Sequence, residues 1–328
     1  MKAPGFMTTA ALSVRPSWII SRRDDLLFFS GSALLGYFLI VIGFGLGYLP
    51  LAVFALYGLL LDGPHIYSTA TRAVLDGDER ARLRWLWLIG APACLLLSWA
   101  IISAFGALSY LVVIALTNWH VSKQHMGFVM IYKNKARDRE DYKLDKYFTV
   151  VSLMLPFFFF VSAFQFKTAL LPIFLSPAIA LAGYYAWRQT RKAAINPSKL
   201  ILLAAFIPLH WLAWYFAAGD PWSRMRLAVV GVAITVGHGL QYLRLMYFHN
   251  NNRYSSRAGI LGFVSRKYIY FVAAVMILSF PVSLNVSRVV QQRALGVFLL
   301  GALLFHFVLD TKIWRVRGNP ELARALRL

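Results

Sequence analysis

Apolar runs of about 17–25 residues, each long enough to cross a hydrocarbon slab as a helix, recur ten times along the chain. They lie at 28–47, 51–75, 85–105, 106–132, 147–166, 168–187, 199–217, 224–248, 268–287 and 292–314. The joins at Gly45–Pro50, Phe105–Ser109 and Phe166–Pro172 are tight and almost uncharged, which predicts helical hairpins. The other connections are longer and basic. Pro156, Pro172 and Pro177 mark the two segments where a helix could break or re-enter. The pattern predicts an all-α, polytopic integral membrane bundle of about 8–10 transmembrane helices. Residues 1–27 would form an N-terminal segment, 28–314 one transmembrane domain, and 315–328 a basic tail.

Composition agrees. Of 328 residues 59% are hydrophobic and only 14% charged, against ~25% charged in soluble domains. The net charge of +21 would suit nucleic acid, but its placement argues against that partner. Lys167, Arg224, Arg226, Arg288 and Arg293 lie on one side of the alternating segments, and Arg72, Lys123 and Arg244 within them. The remaining 26 of the 34 basic residues fall on the other side. Such asymmetry is a topology signal, and it predicts an inner-membrane protein with both termini cytoplasmic. Met1 to Arg23 contains no apolar core of signal-peptide length. The single Cys94 lies in an apolar run and reads as packing.

The candidate chemistry is in the histidines. His65, His120, His125, His238 and His306 each precede the basic end of an apolar segment by about 7–12 residues, which at ~1.5 Å rise per residue gathers them in one slab. Ionisable side chains are costly at that depth and rarely stand there without partners. The second segment carries Leu61-Asp62-Gly63-Pro64-His65-Ile66-Tyr67-Ser68-Thr69. Asp62 and His65 sit one turn apart. Asp62 reads either as a hydrogen-bond partner within a Gly-Pro kink, as a second ligand, or as a group orienting His65 for catalysis.

The fourth segment carries Asn118-Trp119-His120-Val121-Ser122-Lys123-Gln124-His125. His120 and His125 differ by about 140° around an ideal helix. Either a π-bulge brings both inward, or one binds metal while the other packs against a neighbour. Lys123 would snorkel, pair with an acid or meet a lipid phosphate. In the eighth segment glycines flank His238, and Tyr242 follows one turn later, placed to line a site or donate to bound oxygen. His249 lies among asparagines at the boundary and reads as a solvated residue, whereas His210 stays a reserve candidate at compatible depth. In the tenth segment His306 and Asp310 share a face; Asp310 reads as a ligand, as the orienter of a ligand, or as an ion-pair partner of Lys312 or Lys123.

The expected metal set is therefore His65, His120, His125, His238, His306 and Asp310, with Tyr242 and Asp62 in catalytic roles. Imidazole with carboxylate and no thiolate suits iron, zinc, copper or nickel. A lipid-embedded layer among Tyr67, Trp119, Phe305 and Phe307 favours non-haem iron and O₂ acting on an apolar, membrane-dissolved substrate. A di-iron hydroxylase or desaturase, a haem protein with two axial histidines, and a proton-coupled transporter are the competing readings.

The order of the motifs resembles the Brp/Blh group of bacterial membrane β-carotene dioxygenases. The counterparts are Gly63-Pro64-His65, His120 with His125, His238, and Phe305-His306 with Asp310. The resemblance implies iron- and O₂-dependent central cleavage of a carotenoid. The chain differs after His65, where Ile66-Tyr67-Ser68-Thr69 replaces the group's Gly-Ala-Leu-Asp. It also has Tyr242 four residues after His238 in place of a paired histidine.

Overall fold

The computed structural model describes residues 13–14, 16–47, 51–163, 166–192, 194–218, 220, 223–283 and 293–328. Residues 1–12 and 15 of the expected N-terminal segment, 48–50 in the first hairpin join, and 164–165, 193, 219, 221–222 and 284–292 lie outside the described residues. Every one of the ten apolar segments contains a helix. They are α1 (Arg22–Gly45), α2 (51–73), α3 (Leu86–Phe105), α4 (Ser109–Lys135) and α5 (Tyr142–Ser162). Then follow α6 (Lys167–Thr190), α7 (Pro197–Ala217), α8 (Arg224–Tyr254), α9 (Tyr268–Ser283) and α10 (Arg293–Ile313). Seven of these are long and apolar enough to cross a membrane, and the fold is an all-α polytopic bundle.

The shortfall has a physical cause. Helices α2 and α4 miss the apolarity of a lone span because they carry the polar residues of the candidate site, while α9 is apolar but shorter than a full span. Prolines 156, 172 and 177 do not interrupt α5 or α6. In a bundle, neighbouring helices and local adjustment satisfy the carbonyls that proline leaves free.

Helix α8 is the axis of the bundle. Its most apolar stretch is 83% buried, against 6% for α6 and 17% for α3, which present Ile173, Ile179, Leu96 and Trp99 outward. Helices α1, α4, α5 and α7 pack on one flank of α8 around Phe29, Phe128, Phe160, Phe206 and Trp214. Helices α2, α3, α9 and α10 pack on the other around Ile101, Met246, Phe271 and Leu304, with Cys94 as a packing residue. Gly36 and Gly43, two turns apart on α1, let that helix close on α8: an added Cβ would stand 2.5 Å from the Ala233 carbonyl and 2.6 Å from Val229. Small residues at such crossings gain van der Waals contact where no hydrophobic drive exists in lipid.

The ends are tied down. Ser13–Val14 pairs in parallel with Ala194–Ile195, and Ile19 is fully buried. At the C-terminus α11 (Pro320–Ala325) inserts Leu322 and Leu326 into the core, so the expected basic tail is partly a docked helix.

Candidate metal centre

The seam between the two flanks is where the histidines meet. Helix α2 reaches it through a wide π-type turn at Gly58–Asp62, immediately before Gly63-Pro64. Pro64 has no N–H to offer the preceding turn, and the extra residue in that turn absorbs the mismatch. His65 then points into the seam, 3% exposed. Helix α4 is regularly α-helical through its motif, so the π-bulge expected there is absent and only one of its two histidines faces the seam. That one is His120. Helix α8 supplies His238, and α10 supplies His306 and Asp310 one turn apart.

Four of these residues offer ligand atoms that all lie within 4.8 Å of one another: His65, His120, His306 and Asp310. The Nε2 atoms of His65 and His306 are 3.1 Å apart. Asp310 Oδ2 stands 3.6 Å from Nε2 of both His306 and His120, too far for a hydrogen bond. His120 Nε2 is buried without a hydrogen-bond partner. Donors bound to one ion at about 2.0–2.2 Å are separated by roughly 3.0–3.4 Å along a coordination edge, close to these spacings.

His238 is not one of the four residues whose ligand atoms lie within 4.8 Å of one another, but its ring packs edge to face against two of them. Its ring centroid lies 4.5 Å from that of His65 and 5.1 Å from that of His120, while His306 lies 4.5 Å and 5.3 Å from the same two rings. Imidazoles bound through Nε2 place their centroids about 3.2 Å from the ion, so adjacent ligands fall at roughly 4.5–5.2 Å. The four rings form a closed quadrilateral of that size, and His238 Nδ1 has no partner. The donor set and spacing fit a divalent transition-metal ion.

Outer hydrogen bonds order the set. Tyr242 donates to Asp310 Oδ1 at 2.6 Å, so its oxygen must accept from Thr69, 2.8 Å away. The Thr69 oxygen in turn accepts from His306 Nδ1 at 2.9 Å. This directed chain puts the His306 proton on Nδ1 and leaves Nε2 as an open lone pair, the tautomer a ligand requires. Phe307 stacks on His120 at 4.1 Å and fixes that ring's plane. Gln124 donates to the His238 carbonyl at 3.1 Å, joining α4 to α8. Of the glycines flanking His238, Gly237 is the one the packing requires, since a Cβ would meet the Phe206 ring at 2.7 Å.

Asp310 is buried, and among the described residues no lysine or arginine lies within 4 Å of it, so neither Lys123 nor Lys312 is its partner. Arg72 acts on this carboxylate only from beyond 4 Å, and a bound cation would supply a direct counter-charge. Lys123 instead lies over the Trp119 ring at 5.5 Å.

The other expected site residues fall elsewhere. His125 bonds through Nδ1 to the Val121 carbonyl at 2.9 Å and packs against Phe206, with His210 beside it at 6.2 Å between ring centroids. Asp62 stands outside the ligand group. It accepts from Tyr57 at 3.0 Å, whose oxygen lies 2.6 Å from Thr235 and so ties the wide turn to α8. His249 corrects the expectation of a solvated residue: it is fully buried, its Nδ1 is 3.0 Å from Asn250 Oδ1, and its ring is 6.0 Å from Trp314. Trp314, just beyond α10, and Tyr254 pack beside it.

Thr69 and Arg72 were not read as site residues, yet both are buried here, Arg72 lying 5.1 Å over the Trp314 ring and paired with Glu79. The available signal was a polar stripe, Asp62, His65, Thr69 and Arg72, at spacings of three, four and three on one helix. Comparison with family models, with curated proteins and with solved structures finds no match to this chain.

Proposed function

We propose that this protein is a membrane-embedded, histidine-ligated non-haem iron oxygenase that uses O₂ on an apolar, membrane-dissolved substrate, with a polyene such as a carotenoid as the leading candidate. The observation that supports it most is the buried group of His65, His120, His306 and Asp310, whose ligand atoms lie within 4.8 Å of one another, with the His238 ring packed against it. Iron bound there would supply O₂ activation, and a site of this kind with nitrogen and carboxylate donors is typical of that metal. His65, His120, His238, His306 and Asp310 would hold it. Thr69 and Tyr242 keep His306 and Asp310 in ligating form, and the surrounding apolar helices exclude water.

An apolar cleft on the helices of the site would suit the end of an elongated guest. A cleft of about 520 Å³ is lined by Tyr110, Ile114, Arg224, Leu227 and Ala228, on the same two helices that carry His120 and His238. From Tyr110 to His120 is ten residues, about 15 Å. The imidazoles touch edge to face more closely than axial ligands on opposite faces of a haem can, which disfavours the haem reading.

Two measurements test the proposal. Protein expressed with ample iron and purified in mild detergent should carry close to one iron per chain; metal-free protein would refute the iron site. Expression in a β-carotene-accumulating host should bleach pigment with appearance of retinal, and His238→Ala should abolish this. Unchanged pigment with iron-loaded protein would eliminate carotenoids as substrate, and no change in any host lipid under air would refute the oxygenase.

A further inference from the structure

A second polar feature lies well away from the histidines. Where α8 ends, Arg253 is fifteen residues beyond His238, about 22 Å along the helix. There a cleft of about 230 Å³ opens between the last turn of α8 and α11, lined by Asn252, Arg253, Arg257, Glu321, Arg324 and Ala325. Its walls are built. Asn319 caps α11, and Asn252 donates to the Ala325 carbonyl at 2.8 Å while accepting from Arg327 at 3.0 Å.

The charges in this cleft do not balance. Arg253, with its side chain only 9% exposed, is held by Asp76 at 2.9 Å and by Glu321, yet its Nε is buried without a partner. Arg257 lies over the Tyr254 ring at 5.2 Å. Neither Arg257 nor Arg324 has a carboxylate within 4 Å among the described residues. Two uncompensated guanidinium groups thus line a cleft with room for a phosphate group. Guanidinium is the side chain best matched to phosphate oxygens. The cleft also lies at a basic helix end, where anionic headgroups collect.

The geometry points to a phosphate-binding site at this cleft, with Arg257 and Arg324 as the principal contacts and Arg253 as the base of the cleft, held by Asp76 and Glu321. The ligand is a phosphate ester or phosphate ion, carried either by a lipid headgroup or free in solution.

The test uses the full-length protein in mild detergent, stripped of co-purified lipid. Thermal unfolding is followed while inorganic phosphate or short-chain phosphatidylglycerol is titrated at constant ionic strength. A ligand that binds only the folded state raises the transition temperature. Saturable protection of the wild type is expected, weakened on the order of tenfold or more in Arg257→Gln/Arg324→Gln and partly restored in Arg257→Lys/Arg324→Lys. Protection by phosphatidylglycerol alone identifies a headgroup site, and equal protection by inorganic phosphate a free-phosphate site; either supports the proposal. It is overturned if neither ligand protects the wild type, or if the glutamine variant responds as the wild type does. Mass spectrometry with phosphatidylglycerol gives an independent reading: retention by the glutamine variant as strong as by the wild type overturns a headgroup site.

Discussion

Thr69→Val is the most informative single substitution. Valine keeps the shape of threonine and replaces the hydroxyl by a methyl. Thr69 is 2% exposed, and its oxygen lies 2.9 Å from His306 Nδ1 and 2.8 Å from the Tyr242 hydroxyl. Tyr242 keeps its bond to Asp310, so the chief loss is the acceptor for one buried N–H. Such a group left unpaired costs about 1–3 kcal/mol. The ring can escape by moving its proton to Nε2 and donating to His65 Nε2, 3.1 Å away, but that removes Nε2 from the ligand set. The penalty therefore falls on metal binding, where it corresponds to roughly 5–150-fold, overlapping the ~10–100-fold typical of lost outer hydrogen bonds to ligands. The assay is anaerobic loading with ferrous iron in detergent and competition against a chelator, with circular dichroism as a check of helix content. If the variant binds iron as tightly as the wild type, the Thr69 hydroxyl does not set the His306 tautomer and the derivation fails.

Removing His65, His120, His238 or His306 singly as alanine should lose most of the bound iron, whereas His125→Ala and His249→Ala should retain it; metal analysis decides, and iron loss in His125→Ala equal to that in His65→Ala would refute the assignment. Gly237→Ala should destabilise by about 1–3 kcal/mol through overpacking against Phe206, read as a lowered unfolding temperature. Asp76, outside the spans, is pushed up by burial, but the Tyr254 hydroxyl, Arg253 and the backbone N–H groups of residues 78 and 79 outweigh this and hold its carboxyl below the ordinary value. A depressed carboxylate contributes stability above its unfolded pKa, and this is lost as pH falls through the folded one. Asp76→Asn should therefore destabilise by roughly 1.5–3 kcal/mol at neutral pH, with the difference from wild type shrinking as pH falls below about 4 and vanishing only below the depressed folded value. Reporter fusions at residues 140 and 221 should report opposite sides of the membrane, the first cytoplasmic; the same side for both would refute the common depth of the histidines.

The sequence by itself determined the class of fold, because lipid leaves no choice: apolar runs of spanning length must satisfy their own backbone groups, and helices do so locally. Ten segments became helices for that reason, and prolines 156, 172 and 177 did not break α5 or α6. That His65, His120, His238 and His306 come to one level of the bundle was legible in the same way, since rise per residue is fixed along a helix. Which way each histidine faced was not. His120 and His125 are five residues apart on a regular helix, so only the packing of α4 between α8 and α7 decided that His120 joins the ring while His125 turns to Phe206. Asp62 had the right spacing to His65, yet the wide turn at Gly58–Asp62 rotated it onto Tyr57. His249 looked solvated from its asparagine neighbours and was enclosed by the docking of residues distant in the chain. Thr69 acquired its role because Tyr242 and His306, 173 and 237 residues away, met its hydroxyl. Periodicity along one helix fixes composition and depth; rotation about the helix axis, and therefore the contents of a site assembled from several helices, is set by the neighbours against which each helix packs.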